Sequence, residues 1–182
     1  MRMLGETPLN IIVAVDENGG FGNNGEIPWK QKPFMKEDFK RFKALTENSI
    51  CIMGFRTYEE ILKMKAERGG DVNTPLLPNR DSFVVTSRAT ELPESSAVKF
   101  VPSLRSAVEY LDNDDSKNVF VLGGEKLFIE ALPWTMNIYM TVVKDRYECD
   151  RFFPLEYVDN NFKLGHSNDT DDLYFLTLRR FR

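Results

Sequence analysis

Short apolar, β-branched runs alternate along the chain with segments whose apolar residues recur at helical spacing. The runs at 10–15, 49–53, 82–86, 98–101 and 119–122 predict strands. Two longer runs, 138–143 and 173–179, alternate more clearly and predict an antiparallel edge beside a polar loop around His166. Helical spacing predicts helices at 36–45, 57–65, 104–111 and 125–131. In the third, Leu104, Ala107, Val108 and Leu111 fall on one face behind Ser103 as N-cap. The alternation predicts an α/β fold: a single-domain mixed, mostly parallel sheet flanked by helices on both faces, with an antiparallel C-terminal hairpin. No repeat, low-complexity tract or linker interrupts the pattern, so one domain over residues 1–182 is expected.

Composition narrows the function classes. With 24 Lys+Arg against 28 Asp+Glu in 182 residues, the net charge is −4, which argues against a nucleic-acid or anionic-membrane partner. No apolar run approaches the roughly 18 residues that cross a bilayer. The opening residues lack the hydrophobic core of a signal peptide, so a cytoplasmic location is expected. Cys51 lies in an apolar run and reads as a small buried hydrophobe. Cys149 lies in a charged stretch, and a disulfide between the two is not expected. A single histidine, His166, reads as a solvated loop residue, so neither a zinc site nor a Ser-His-Asp triad is supported. The chemistry then falls to carboxylates, backbone groups and a bound cofactor.

The helix at 36–45 holds the most informative residue. Met35, Phe39, Phe42 and Leu45 share one face, with Lys36, Glu37, Lys40, Arg41 and Lys43 opposite. Asp38 breaks the pattern by falling within the apolar stripe, where desolvation raises a carboxyl pKa. Either Asp38 bonds its own backbone at the helix start, or it lies at the floor of an apolar pocket awaiting a cationic or amidine-like ligand. Two strand-to-helix turns place glycine where a phosphate could approach backbone N–H groups: Gly54, and Gly123 with Gly124. Each could equally be structural, and neither is a GxGxxG or a P-loop. Ser87 and Arg88, just past a strand, could hold a ribose 2′-phosphate with Arg56 as a second cation, or could be solvated surface. The glycine-rich stretch 19–29 reads as a mobile lid or a plain Ω-loop.

Taken in order, these segments resemble the dihydrofolate reductase family over nearly the whole chain. The matching stretches are 12–15, 20–29, 38–42, 52–54 with Thr57, 77–80, 121–124, 139–141 and 149–154. The resemblance implies a dihydrofolate reductase-like fold and reduction of 7,8-dihydrofolate by NADPH, with hydride delivered to C6 and solvent protonating N5. It implies that Asp38 grips the pterin edge with Thr141 bonding that carboxylate, Trp29 helping to hold a water and Ile27 beside the reacting ring. Ile12, Val13, Phe42, Ile61, Leu77 and Leu122 would wall the substrate, and Arg80 would pair with its glutamate α-carboxylate. Ala14, Phe21, Gly22 and Leu122 would flank the nicotinamide. Gly54, Arg56, Thr57, Gly123, Gly124, Glu125, Lys126 and Leu127 would line the pyrophosphate, and Ser87 and Arg88 would take the 2′-phosphate. Asp150 would steady the 19–29 loop.

No metal, no nucleic-acid partner and no membrane partner are expected, and the protein is expected to be a monomer. Several positions depart from the family pattern. The stretch 30–37 is longer, Phe55 stands where a basic residue is common, Asn79 replaces a glycine, and Phe128 replaces a tyrosine. Residues 63–74 look like a solvated insertion. Two rivals stay open. One is a reductase of the same fold acting on another heterocycle, such as a riboflavin-pathway pyrimidine, which lacks the combination of Trp29, Asp38 and Arg80. The other is a non-catalytic nucleotide-binding module, which would have lost the pocket carboxylate or the glycine turns.

Overall fold

The structure, a computed structural model, describes residues 7–111 and 117–181. In chain order they form β1 (Leu9–Val15), β2 (Gly20–Gly22), α1 (Met35–Thr46), β3 (Ile50–Gly54), α2 (Phe55–Glu67), β4 (Asp81–Val85), β5 (Lys99–Val101) and α3 (Leu104–Leu111). There follow β6 (Val119–Gly123), α4 (Glu125–Ala131), β7 (Thr135–Val143), β8 (Arg151–Phe152), α5 (Leu155–Asn161), β9 (Phe162–Asp169) and β10 (Leu173–Arg180). The described residues divide into two compact units, one holding Leu9 and Thr46–Trp134, the other Asn10–Leu45 and the chain from Thr135 onward. Among the described residues, no helix is long and apolar enough to cross a membrane.

In the first unit the strand order is β5-β4-β3-β6, and every pairing is parallel. Parallel strands covered on both faces need apolar residues without a break, and Ile50, Cys51, Ile52 and Met53 are all buried. The β3–β6 register slips between Ile52 and Met53, which sets Met53 opposite Gly123. Helix α3 forms as its spacing predicts: Leu104, Ala107, Val108 and Leu111 are buried, and Ser103 Oγ accepts the Ser106 N–H at 3.0 Å. Helix α2 runs past its expected end, so residues 63–67 of the supposed insertion are helical. The rest of the excursion is tied down by Lys65, whose Nζ donates to Thr74 Oγ1 and the Pro75 carbonyl, each at 2.7 Å.

In the second unit β10 lies between β7 and β9, antiparallel to both. The antiparallel C-terminal pairing is as the alternation predicts, but the edge is β9, not β7 or β10. His166 therefore lies in a strand opposite Thr177, and the loop is confined to the turn before Leu173. Only Phe162 of β9 is buried, so this strand shows no apolar face for a periodicity argument to find. A bulge interrupts the β9–β10 ladder at Gly165, between the pairs Leu164–Leu178 and His166–Thr177. Short β2, β8 and α5 also escape the pattern, since two to seven residues carry too little of it.

The glycine-rich stretch is held more firmly than its composition suggests. Strand β2 pairs with β8, and a Cβ on Gly20 would lie 2.5 Å from Cys149 Sγ and 2.7 Å from its Cβ. Glycine here permits close approach of two segments instead of signalling mobility. Asp16 anchors the base: Oδ1 accepts the Asn18 and Gly20 N–H groups and Oδ2 the Tyr147 N–H, each at 2.9 Å. At the tip, Asn24 (φ 49°) and Gly25 (φ 77°) make a two-residue hairpin turn between Asn23 and Glu26. The Asn24 N–H donates to Asp150 Oδ2 at 2.9 Å, which places Asp150 where the resemblance expects a loop-steadying residue.

The close approach at Gly20 yields a stability prediction. Gly20→Ala drives a methyl into Cys149 and is expected to destabilise the protein by about 1–3 kcal/mol in urea unfolding. An unchanged unfolding midpoint would show that Gly20 and Cys149 are not close-packed.

Candidate active site

Helix α1 and strand β7 bring the central residues together. Met35 is buried, and Asp38, Phe39, Phe42 and Leu45 are half-buried on the same side of α1. The Asp38 carboxylate reaches across to β7, where Thr141 Oγ1 donates to Asp38 Oδ1 at 2.7 Å. A tertiary contact, not a local backbone cap, is what this carboxylate makes. Burial pushes the Asp38 carboxyl above its ordinary range, while the Thr141 hydroxyl and the Arg41 guanidinium pull it partway back. Arg41, placed by its spacing opposite the apolar stripe, is not turned to solvent. It is half-buried, Nη2 donates to the Leu176 carbonyl at 3.0 Å and Nη1 to Thr141 Oγ1 at 3.4 Å. The i, i+3 spacing of an acid and a base was the signal in the sequence that could have revealed it.

Trp29 is 1% exposed and packs against Tyr147 with ring centroids 5.3 Å apart. It forms a cluster with Met35, Val143 and Leu173, against which Ala14, Ile27 and Phe39 pack. Along β1 the pleat puts Ile12 and Ala14, both half-buried, on one face and the buried Val13 on the other. Val13 therefore turns its side chain away from the face that Ile12 and Ala14 share. Gly22 is buried, and half-buried Phe21 lies under the Arg151 guanidinium, 5.6 Å from its ring.

The second group of predicted residues gathers in the other unit. The slip between β3 and β6 brings Gly54 beside the Gly123–Gly124 peptide, which is cis. A Cβ on Gly54 would lie 3.5 Å from the Gly124 nitrogen and one on Gly124 would lie 3.7 Å from Thr57 Oγ1. Gly123, at φ 118°, has no room for more, because a Cβ would lie 3.1 Å from the Phe128 ring. Helices α2 and α4 start at Gly54 and Gly124, and neither has a side-chain cap on its first N–H groups. Such an arrangement suits a phosphate, for which bare N–H groups and a missing Cβ are the requirements. Arg56 and Lys126 are exposed beside it, Glu125 opens α4, and Leu127 is buried in the core.

Past β4, Ser87 and Arg88 are exposed, and the Arg88 guanidinium lies 5.2 Å over the Phe55 ring. Phe55 packs in turn on Tyr58 and Phe100. The aromatic residue that replaces a basic one thus carries a cation on its face. Ile61, Leu77 and Leu122 pack around the cluster of Cys51, Met53, Leu76 and Val84. Arg80 has only 6% of its side chain exposed; Nε donates to Thr46 Oγ1 at 2.8 Å and Nη2 lies 3.6 Å from Glu47 Oε2. Asn79 takes the left-handed conformation expected of a glycine, at φ 59°, and its side chain also reaches Glu47. Sequence reasoning had no sign of Glu47 beside Arg80. Burial pushes the Cys51 thiol up to about 11, which suits its reading as a hydrophobe. No metal-holding cluster occurs among the described residues.

Comparison with known proteins places these features in a family. A model described as dihydrofolate reductase matches residues 8–180. The dihydrofolate reductase of Schistosoma mansoni is 34% identical over 159 residues, which is 80% of this chain and 77% of that protein. That of Bacillus subtilis (strain 168) is 30% identical over 159 residues, 87% of this chain and 82% of that one. A solved dihydrofolate reductase from Enterococcus faecalis, complexed with NADP(H) and RAB-propyl, matches with a TM-score of 0.76 at 26% identity. It covers 98% of this chain and 99% of that chain.

The buried carboxylate leaves a signature in stability. A carboxyl raised in the folded state contributes stability that is complete below its ordinary value of 3.8 and is lost as pH climbs through the raised value. Urea unfolding from about pH 4 to pH 8 should therefore show the wild type losing ground to Asp38→Asn, by about 1.4 kcal/mol for each unit of elevation. A stability difference that stays flat with pH would mean that Asp38 titrates as if in water.

Proposed function

The chain belongs to the dihydrofolate reductase family and is an NADPH-dependent dihydrofolate reductase; we propose that Asp38, held by Thr141, is the group that orients its substrate. When bound, NADPH supplies the hydride that adds to C6 of 7,8-dihydrofolate while N5 takes a proton, converting the N5=C6 imine into the amine of tetrahydrofolate. Asp38 would accept hydrogen bonds from the N3 and 2-amino edge of the pterin. That edge lies on the opposite side of the bicycle from N5, so the carboxylate orients and polarises the ring instead of delivering the proton. Water reaching N5 past the loop at 19–29 would supply it. The single observation that carries this reading is the 2.7 Å bond between Thr141 and a carboxylate set among apolar side chains. Such a group is costly unless something with N–H donors completes it.

The other predicted residues divide the ligands between them. Gly54, Gly123, Gly124 and Thr57 fit a dinucleotide's pyrophosphate by their closeness and their uncapped N–H groups. Arg88, steadied on Phe55, and Ser87 would take the ribose 2′-phosphate, which favours NADPH over NADH. Arg80 would pair with the substrate's α-carboxylate once that group displaces Glu47. Phe42, Ile61 and Leu77 would supply apolar walls. Asp150 would hold the loop tip through Asn24.

Two measurements test this. Asp38→Asn should lose turnover at neutral pH by on the order of 100-fold, followed as dihydrofolate-dependent NADPH oxidation, while NADPH binding persists. Wild-type-like turnover would remove Asp38 from the mechanism. With the unaltered protein, replacing NADPH by NADH should raise KM by at least about tenfold, the effect of losing one charge-assisted contact. Equal use of the two cofactors would refute the assignment of Ser87 and Arg88.

A further inference from the structure

Arg41 has no part in the scheme above, yet its wiring points at the same carboxylate. It lies one turn beyond Asp38 on α1, with Nη1 on Thr141 Oγ1, Nη2 on the Leu176 carbonyl and its guanidinium 5.1 Å over the Phe175 ring. A guanidinium can only donate, and a threonine hydroxyl has one proton to give. Thr141 Oγ1 therefore accepts from Arg41 and directs its proton to Asp38 Oδ1. The chain of donors runs one way, from cation through hydroxyl to carboxylate. A protonated Asp38 turning its O–H toward Thr141 would force the hydroxyl proton back toward the N–H groups of Arg41. Opposite charges on one half-buried helix face also attract strongly, because little water screens them.

We propose that Arg41 is a positioning residue that, through Thr141, keeps the Asp38 carboxylate an acceptor aimed at the N–H donors of the substrate ring. The proposal rests on the dihydrofolate reductase reading for what the carboxylate receives, but not for the wiring itself. The groups that bear on the pair come from three elements: Arg41 on the helix of Asp38, Thr141 and Tyr139 on β7, and the Leu176 carbonyl and Phe175 ring on β10. Of these only Arg41 and Tyr139 carry ionisable groups, and Tyr139 acts on Arg41. Burial pulls the carboxyl toward its neutral form, and the guanidinium opposes that pull.

The test compares Arg41→Met, which keeps an unbranched apolar stem and removes the charge, with Arg41→Lys, which keeps the charge and loses the fork. In the ligand-free protein, the Asp38 carboxyl is followed by carbon-13 NMR, its signal assigned by its loss in Asp38→Asn. Arg41→Met should move the titration midpoint upward by roughly one pH unit, a tenfold gain in proton affinity, and Arg41→Lys should recover part of it. The acid limb of kcat/KM for dihydrofolate should move upward with the midpoint, while the Kd for NADPH stays within about twofold, since no contact with the cofactor is touched. An unchanged midpoint in Arg41→Met, or Arg41→Lys matching Arg41→Met, overturns the proposal. Because the titration needs no turnover, a wild-type protein unable to oxidise NADPH with dihydrofolate would sink the functional reading alone.

Discussion

A carboxylate removed from most of its water must find donors in the protein, and for Asp38 the donor stands on a different element from its own. That single requirement links the helix α1 to the strand β7. The hydroxyl of Thr141 can meet Asp38 only if α1 turns its Met35–Asp38–Phe42 side toward β7, which is also the side that covers Trp29 and Val143. Apolar packing and the polar contact therefore specify the same rotation of the helix. Where two kinds of interaction agree in this way, the geometry of a site is fixed without a dedicated scaffold. Arg41 extends the linkage to β10 through the Leu176 carbonyl, so that three elements converge on one acid.

The glycine group depends on a backbone event instead of a side chain. A one-residue slip in the β3–β6 ladder sets Gly54 level with the Gly123–Gly124 peptide, and two helices then open without capping side chains. Capping serine or aspartate at either start would satisfy those N–H groups internally and leave nothing for an anion. The absence of a cap costs local helix stability. What it preserves is a donor surface.

Much of this was written in the sequence, and the limits follow from what periodicity can detect. Buried strands and α3 were legible because burial writes itself into spacing. Asp38 was legible because it violated that spacing. Asp150 and the Gly54 and Gly123 turns became interpretable only through their order along the chain. Arg41 was not recognised: a long charged side chain on a helix reads as solvated, and only its i, i+3 spacing from Asp38 hinted otherwise. Glu47, just past the end of α1, left no mark either, because the fold and not sequence spacing brings it beside Arg80. The glycine-rich stretch 19–29 reads as a mobile lid or a plain Ω-loop, whereas Cys149 lies so close to the Gly20 backbone that a Cβ there would collide. Composition alone does not distinguish freedom from crowding.

The polar strand β9, which hid from the pattern, has its own effect on behaviour in solution. It ends the β7-β10-β9 order with a row of backbone groups that could template another chain. Yet Lys163, His166 and Asp169 stud its exposed length, and the bulge at Gly165 breaks the even spacing that a docking strand would have to match. A newcomer bringing its own ladder into register would meet the kink at Gly165 partway along the strand. The feature that made this strand unreadable as structure also makes its edge a poor template for another strand.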